Sequence, residues 1–225
     1  VFGVRLKESL KYASKRVSTT GENGELREWG FVPIVIAKCG LFLKERATET
    51  PGIFHRNHSY NIRIERLKSL FDQPPQYGKS FKWEETRFTA YNVANVFLAF
   101  LNDLPEPAIP FSMYIPMREV MINTFHNRDE TITEYKSLIH AMPTENLHLL
   151  LYVLHLLALF ARKSAKNMMK TDELAKIFRH ALFRHPSSVT PQHELDELVV
   201  QFLIEKQDRF MLPTSGTYVQ PSEDD

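Results

Sequence analysis

Residues 147–161 form the longest apolar run in the chain, interrupted by His148 and His155. A membrane span needs about 20 apolar residues in a row, and this run falls short of that. A helix apolar on every side belongs in an interior, so the run reads as a buried core helix. The surrounding periodicity is also helical. Residues 61–71 place Ile62, Ile64, Leu67, Leu70 and Phe71 at apolar positions, and 89–101 place Val93, Val96, Phe97, Phe100 and Leu101 on one side. Residues 32–47, 112–125, 130–141, 145–163, 171–183 and 191–210 read as further helices, with Thr144 as a cap and Pro33 and Pro191 as opening prolines. Residues 4–16 read as an amphipathic helix, or as a helix with an extended lead-in. Residues 18–30 are polar, contain Gly21 and Gly24, and read as a surface loop. No stretch alternates in the manner of a strand. The expectation is an all-α fold, a single bundle of about eight or nine helices over residues 1–212, followed by a flexible tail at 213–225. A content of 43% hydrophobic and 12% aromatic residues suffices for one substantial core.

Charge and chemistry exclude several classes. The 28 basic and 27 acidic residues leave a net charge of +1, without the basic excess of a dedicated nucleic-acid binder. No strongly basic amphipathic stretch suits a membrane surface, and no direct membrane insertion is expected. Cys39 is the only cysteine, so no intrachain disulfide forms; this fits a reducing, cytoplasmic setting. It reads as a small packed helix residue rather than a nucleophile. His55 and His58 stand three apart and His180 and His185 five apart, without third and fourth ligands at suitable spacing, so no metal site is expected. No phosphate-binding glycine loop or nucleophile elbow is present, and no cofactor is implied. The start at Val1 and the acidic end Ser222-Glu223-Asp224-Asp225 suggest a piece of a larger protein, whose other regions would supply any membrane recruitment.

Two runs carry the function. Gly52-Ile53-Phe54-His55-Arg56-Asn57 reads as a loop that pushes a basic side chain out of a helical body. Leu104-Pro105-Glu106-Pro107 reads as a rigid stop after a helix. With Val32-Pro33-Ile34-Val35, Arg63-Ile64, Phe71-Asp72, Met142-Pro143-Thr144-Glu145-Asn146-Leu147, Leu174-Ala175-Lys176-Ile177-Phe178 and the closing residues 202–210, they form a collinear set. That set resembles the Rho GTPase-activating (RhoGAP) family over about residues 1–212. Lys38-Cys39-Gly40 and residues 91–96 look most like fungal members.

The resemblance implies an all-helical domain that docks on the GTP-bound form of a Rho-family small GTPase and inserts an arginine finger beside the nucleotide. A guanidinium there stabilises the charge that spreads over phosphate oxygens in the transition state. Lysine lacks the planar fork, and histidine is largely uncharged at neutral pH. Counting forward from Cys39 puts His55 at the finger position, and counting back from Arg63-Ile64 puts Arg56 there. A one-residue insertion in the loop explains both counts, with Arg56 as the finger and His55 as the alternative position. An ordinary solvated arginine is the competing reading of Arg56. The family's GTPase-contacting positions fall on Leu98, Asn102, Arg179 and Ala181. Leu98 is apolar where relatives are basic, and Arg179 would restore positive charge. The resemblance therefore leaves two functions open: a GTPase activator, or a RhoGAP-fold binding module that has lost its chemistry.

Overall fold

The computed structural model describes residues 1–20, 26–55, 62–83, 87–187, 189–190 and 192–211. Arg56, His58, Pro191 and residues 212–225, which include the expected tail, lie outside the described residues. A short helix α1 (Leu6–Leu10) leads into a hairpin of β1 (Ser14–Thr20) and β2 (Leu26–Pro33). The bundle follows as α2 (Ile34–Arg46), α3 (Ile62–Asp72), α4 (Ala90–Asp103), α5 (Tyr114–Thr124), α6 (Arg128–His140), α7 (Thr144–Arg162), α8 (Ser164–Asn167), α9 (Thr171–Leu182) and α10 (His193–Glu205). Single 3-10 turns at Phe111–Met113 and Gln207–Phe210 precede α5 and follow α10.

The apolar run becomes the axis of the molecule. Helix α7 has 19 residues, longer than the run alone suggested, and is the one described helix whose length and composition would suit a membrane. Its apolar sides are already occupied: α2, α9, α10 and β2 pack around it, and Leu149, Leu150, Val153, Leu154, Leu157 and Phe160 are fully buried. Helix α4 begins with a reciprocal cap, in which the Thr89 hydroxyl accepts from the Asn92 amide at 3.3 Å and the Asn92 side chain accepts from the Thr89 amide at 3.1 Å. Behind α4, Glu106 accepts from the Phe111 amide at 2.8 Å, so the Leu104-Pro105-Glu106-Pro107 stop also starts the next turn. Arg184 fastens that stop from outside, donating to the carbonyls of Leu104 and Pro105 at 2.9 Å each. Deeper in, the Tyr114 hydroxyl donates to the buried Asp196 carboxylate, with the Arg118 guanidinium 3.6 Å away, tying α5 to α10. Burial raises the Asp196 pKa, opposed by the Tyr114 bond and the nearby arginine.

The all-α expectation holds for the bundle, but two local readings are corrected. Residues 18–30 belong largely to the hairpin rather than a loop, and the helix expected over 4–16 stops at Leu10, with β1 beginning at Ser14. Ser14–Thr20 reads Ser-Lys-Arg-Val-Ser-Thr-Thr. It is rich in strand-favouring Val and Thr yet has no apolar face, so the alternation that reveals a strand is missing. The hairpin is irregular between Val17 and Ser18, where Val17 pairs with Gly30 and Ser18 with Glu28. Gly30 has φ +84°, and a Cβ there would overlap the His148 ring of α7. Burial at this junction also lowers the His148 pKa. Gly30→Ala is expected to cost about 2–4 kcal/mol through backbone strain and overpacking, read as a lower urea midpoint with an unchanged slope.

Candidate functional site

The run Gly52-Ile53-Phe54 is a root, buried by its own apolar residues. Gly52 has φ +60°, a left-handed conformation that glycine adopts without strain. Its amide donates to the Asn167 carbonyl at 2.8 Å, and its carbonyl accepts from the His55 amide at 2.9 Å, closing a tight turn. Ile53 and Phe54 point inward and are buried. The Phe54 ring meets Phe160 of α7 edge-on at 4.9 Å and Phe178 of α9 edge-on at 5.0 Å. Such pairs add about 0.5–1.5 kcal/mol beyond area burial.

Polar contacts hold the root from both sides. Asn167 is fully buried; its amide donates to the carbonyls of Thr48 at 2.8 Å and Phe160 at 2.9 Å, and its oxygen accepts from the Met169 amide at 2.7 Å. Glu49 pairs with Lys163 at 3.1 Å and Lys166 at 2.8 Å. The Tyr91 hydroxyl, from the first turn of α4, donates to the Pro51 carbonyl at 2.8 Å. His55 is the first exposed residue after the root, and its Nε2 lies 3.3 Å from the Glu173 carboxylate in the first turn of α9. The next residue is Arg56, so the chain leaves a fixed base just before the proposed finger.

The remaining site positions divide into two groups. Leu98 is only 4% exposed and Ala181 is fully buried, so neither side chain is open to solvent in the isolated domain. Leu98 belongs to the apolar side of α4. The Ala181 carbonyl accepts from the Ala108 amide at 3.3 Å where the segment after α4 crosses α9. Asn102 is half-buried, with a buried side-chain oxygen that has no hydrogen-bond partner among the described residues. It stands eleven residues after Tyr91, which is three turns plus about 20°, so both occupy one stripe of α4 separated by about 16 Å. Arg179 is partly buried, and its Nε sits 3.6 Å from the Glu197 carboxylate of α10. The structure therefore brings His55 to α9, places Asn102 on the stripe that begins at the loop root, and turns Arg179 toward α10. Cys39 is buried in α2, and burial pushes its thiol up, which suits packing and not nucleophilic chemistry.

Sequence reasoning missed Glu173, Asn167 and Tyr91. Asn167 has no local signature, because its three partners come from α7 and from segments on either side of it. Glu173 stands immediately before the run Leu174-Ala175-Lys176-Ile177-Phe178. An acid in a first helical turn is so common that it carries no message by itself.

A helical body with one rooted loop beside the first turn of its penultimate long helix defines a known class of domain, and the comparisons identify it. The family model described as the RhoGAP domain matches residues 33–187. Rho-GTPase-activating protein 5 of Schizosaccharomyces pombe is 38% identical over 213 residues, covering 94% of this chain and 58% of its own length. Rho-GTPase-activating protein BAG7 of Saccharomyces cerevisiae is 35% identical over 233 residues, covering 96% of this chain and 56% of its own. The crystal structure of human Rho GTPase activating protein 15 superposes with a TM-score of 0.73 over 93% of this chain and 91% of that one; at 20% identity, that likeness speaks to the fold. The chain belongs to the RhoGAP domain family, and it spans somewhat more than half the length of these two yeast relatives.

Proposed function

We propose that this domain binds the GTP-loaded form of a Rho-family small GTPase in the cytoplasm and stimulates its hydrolysis by inserting Arg56 as a finger. The rooting of Gly52-Ile53-Phe54 is the observation that carries this reading. A finger acts only if its guanidinium is held where charge develops, and misplacement by ~1 Å costs about 100-fold. Phe54 between Phe160 and Phe178, the Gly52 bond to Asn167 and the Tyr91 bond to Pro51 give the loop a fixed base two residues before Arg56. Asn102 and Arg179 are the flanking polar residues of this surface, each partly exposed. The test is single-turnover GTP hydrolysis on a panel of Rho-type GTPases with and without the domain. Acceleration of at least one is expected, and no acceleration of any member removes the proposal.

His55 and Glu173 act together on this loop. An exposed contact of this kind, an ion pair only when the imidazole is protonated, adds little stability, and we assign it the role of orienting the chain that leads into Arg56. Glu173→Gln is expected to leave the unfolding midpoint nearly unchanged while lowering single-turnover stimulation by about three- to tenfold through loss of loop position. Equal stimulation by both proteins would show that the pair does not guide the finger.

A second reading is favoured by the same contacts. Two basic side chains of this surface lie beside carboxylates of their own domain, His55 beside Glu173 and Arg179 beside Glu197, and Leu98 supplies no charge. On this reading the domain binds a GTPase without activating it. Binding to the GTP-loaded form that is unaffected by Arg56→Ala, with no acceleration of hydrolysis, would favour it.

A further inference from the structure

Among the described residues, two other than glycine have a positive φ: Tyr77 at +46° and Met168 at +61°. A left-handed conformation is strained for a residue with a side chain, and it persists where surrounding contacts over-determine it. Tyr77 has an internal reason for its place, because its ring packs on Tyr12 at 4.7 Å. Met168 differs. It follows α8 at the position where a helix ordinarily ends in Gly or Asn, yet it carries a long apolar side chain and is 58% exposed.

The backbone on either side fixes Met168. Its amide donates to the Ser164 carbonyl at 2.9 Å. Before it, Asn167 is fully buried and its carbonyl accepts from the Gly52 amide at 2.8 Å. After it, Met169 is fully buried, and its amide donates to the Asn167 side-chain oxygen at 2.7 Å. Met168 is therefore held one residue from a direct bond to the root of the finger loop. The apolar surface continues across that root. Pro51 is exposed, and its carbonyl accepts from the hydroxyl of Tyr91, which is 40% exposed. Exposed apolar residues scattered singly need no explanation. Met168 and Tyr91 are not scattered: they come from the end of α8 and the start of α4, and they adjoin successive residues of the root, Gly52 and Pro51.

We propose that Met168 is an affinity-determining contact for the GTPase, packing against apolar side chains of the GTP-loaded partner beside its nucleotide, with Pro51 and Tyr91 extending the same surface. This inference rests on the proposed docking of a Rho-family GTPase at the finger loop and assigns part of that contact. Four residues separate Gly52 from Arg56, a reach of at most about 14 Å. A partner whose nucleotide receives Arg56 is thereby brought against the root and covers the apolar side chains around it. The strain of a left-handed methionine is then offset in the complex, where its side chain is buried, and not in the free domain. An apolar side chain does not respond to the charge that develops on the phosphoryl group. It holds ground state and transition state alike, so it acts on affinity and not on the rate at saturation.

The experiment is single-turnover GTP hydrolysis by a panel of Rho-type GTPases over a range of domain concentrations, paired with anisotropy binding to each GTPase loaded with a fluorescent non-hydrolysable GTP analogue. Met168→Gly removes the side chain and suits the left-handed backbone, so its urea midpoint should be no lower than that of the wild type. Its dissociation constant and half-saturating concentration should nevertheless rise by about tenfold, as loss of a methionine contact implies. The rate at saturation should stay within about twofold. Met168→Asn also tolerates this conformation and should weaken binding as much, which separates loss of the side chain from loss of backbone stiffness. Met168→Leu, close in volume, should keep affinity within about threefold. Equal affinity of wild type, Met168→Gly and Met168→Asn for every GTPase that the wild type binds overturns the proposal and leaves the finger reading standing. A lower rate at saturation with unchanged affinity also overturns it, and assigns Met168 to loop position instead. A lower urea midpoint in Met168→Gly would show that the side chain packs within its own domain, and likewise overturns it. A wild type that neither binds nor stimulates any GTPase of the panel removes the docking reading and this contact with it.

Discussion

Arg56→Ala is expected to remove nearly all stimulation of GTP hydrolysis by this domain, a loss of about 10³-fold or more in the single-turnover rate, because a finger in trans is worth about 10³–10⁵. Affinity for the GTP-loaded GTPase should change far less, since the guanidinium acts mainly on the transition state. Arg56→Lys should recover only a small part, because an ammonium restores charge but not the planar fork. His55→Ala should retain most of the stimulation if the loop carries an extra residue and Arg56 occupies the finger position. A large loss with His55→Ala and none with Arg56→Ala would reverse that assignment.

Phe54→Ala carries the second large effect, and it acts on stability. The ring is 3% exposed and is held edge-on by Phe160 and Phe178. Deleting a buried phenylalanine of this kind costs about 3–5 kcal/mol through lost transfer energy and the cavity left behind. The melting temperature should fall by about 10 °C for a domain of this size, at about 2–4 °C per kcal/mol. At a temperature where the variant is still folded, stimulation should also fall, because the base of the finger loop is no longer fixed. Phe54→Leu should fall between wild type and alanine in both measurements. Unchanged stimulation in folded Phe54→Ala would mean that the loop takes its position from the GTPase rather than from its root.

The bundle was legible from residue pattern because its main helices bury continuous apolar sides. Val93, Val96, Phe97, Phe100 and Leu101 of α4 were read as one side, and all are buried. The hairpin was hidden for the opposite reason: β1 buries little, and its partner contains Gly30, whose value lies in its approach to His148. The site was legible where chemistry and chain order coincide, at Gly52-Ile53-Phe54 and at the proline stop. The burial of Leu98 and Ala181 is not legible in sequence, because chain position identifies a helix but not how far its side chains are covered by neighbours. Asn102 stands three helical turns from Tyr91, and α4 gave no sign in sequence that its first turn would bond the loop root. Glu173 and Asn167 gain their roles from residues far away in the chain, which periodicity cannot report.

The most direct test of the finger is association with a Rho-type GTPase loaded with GDP and aluminium fluoride, which mimics the transferring phosphoryl group. Size-exclusion chromatography of the wild type and of Arg56→Ala, with GDP alone as the reference state, reads the difference. Stable complex formation by the wild type only when fluoride is present, lost in Arg56→Ala, is the expected result. Association that is equal with and without fluoride, or equal in the two proteins, would contradict a guanidinium acting in the transition state.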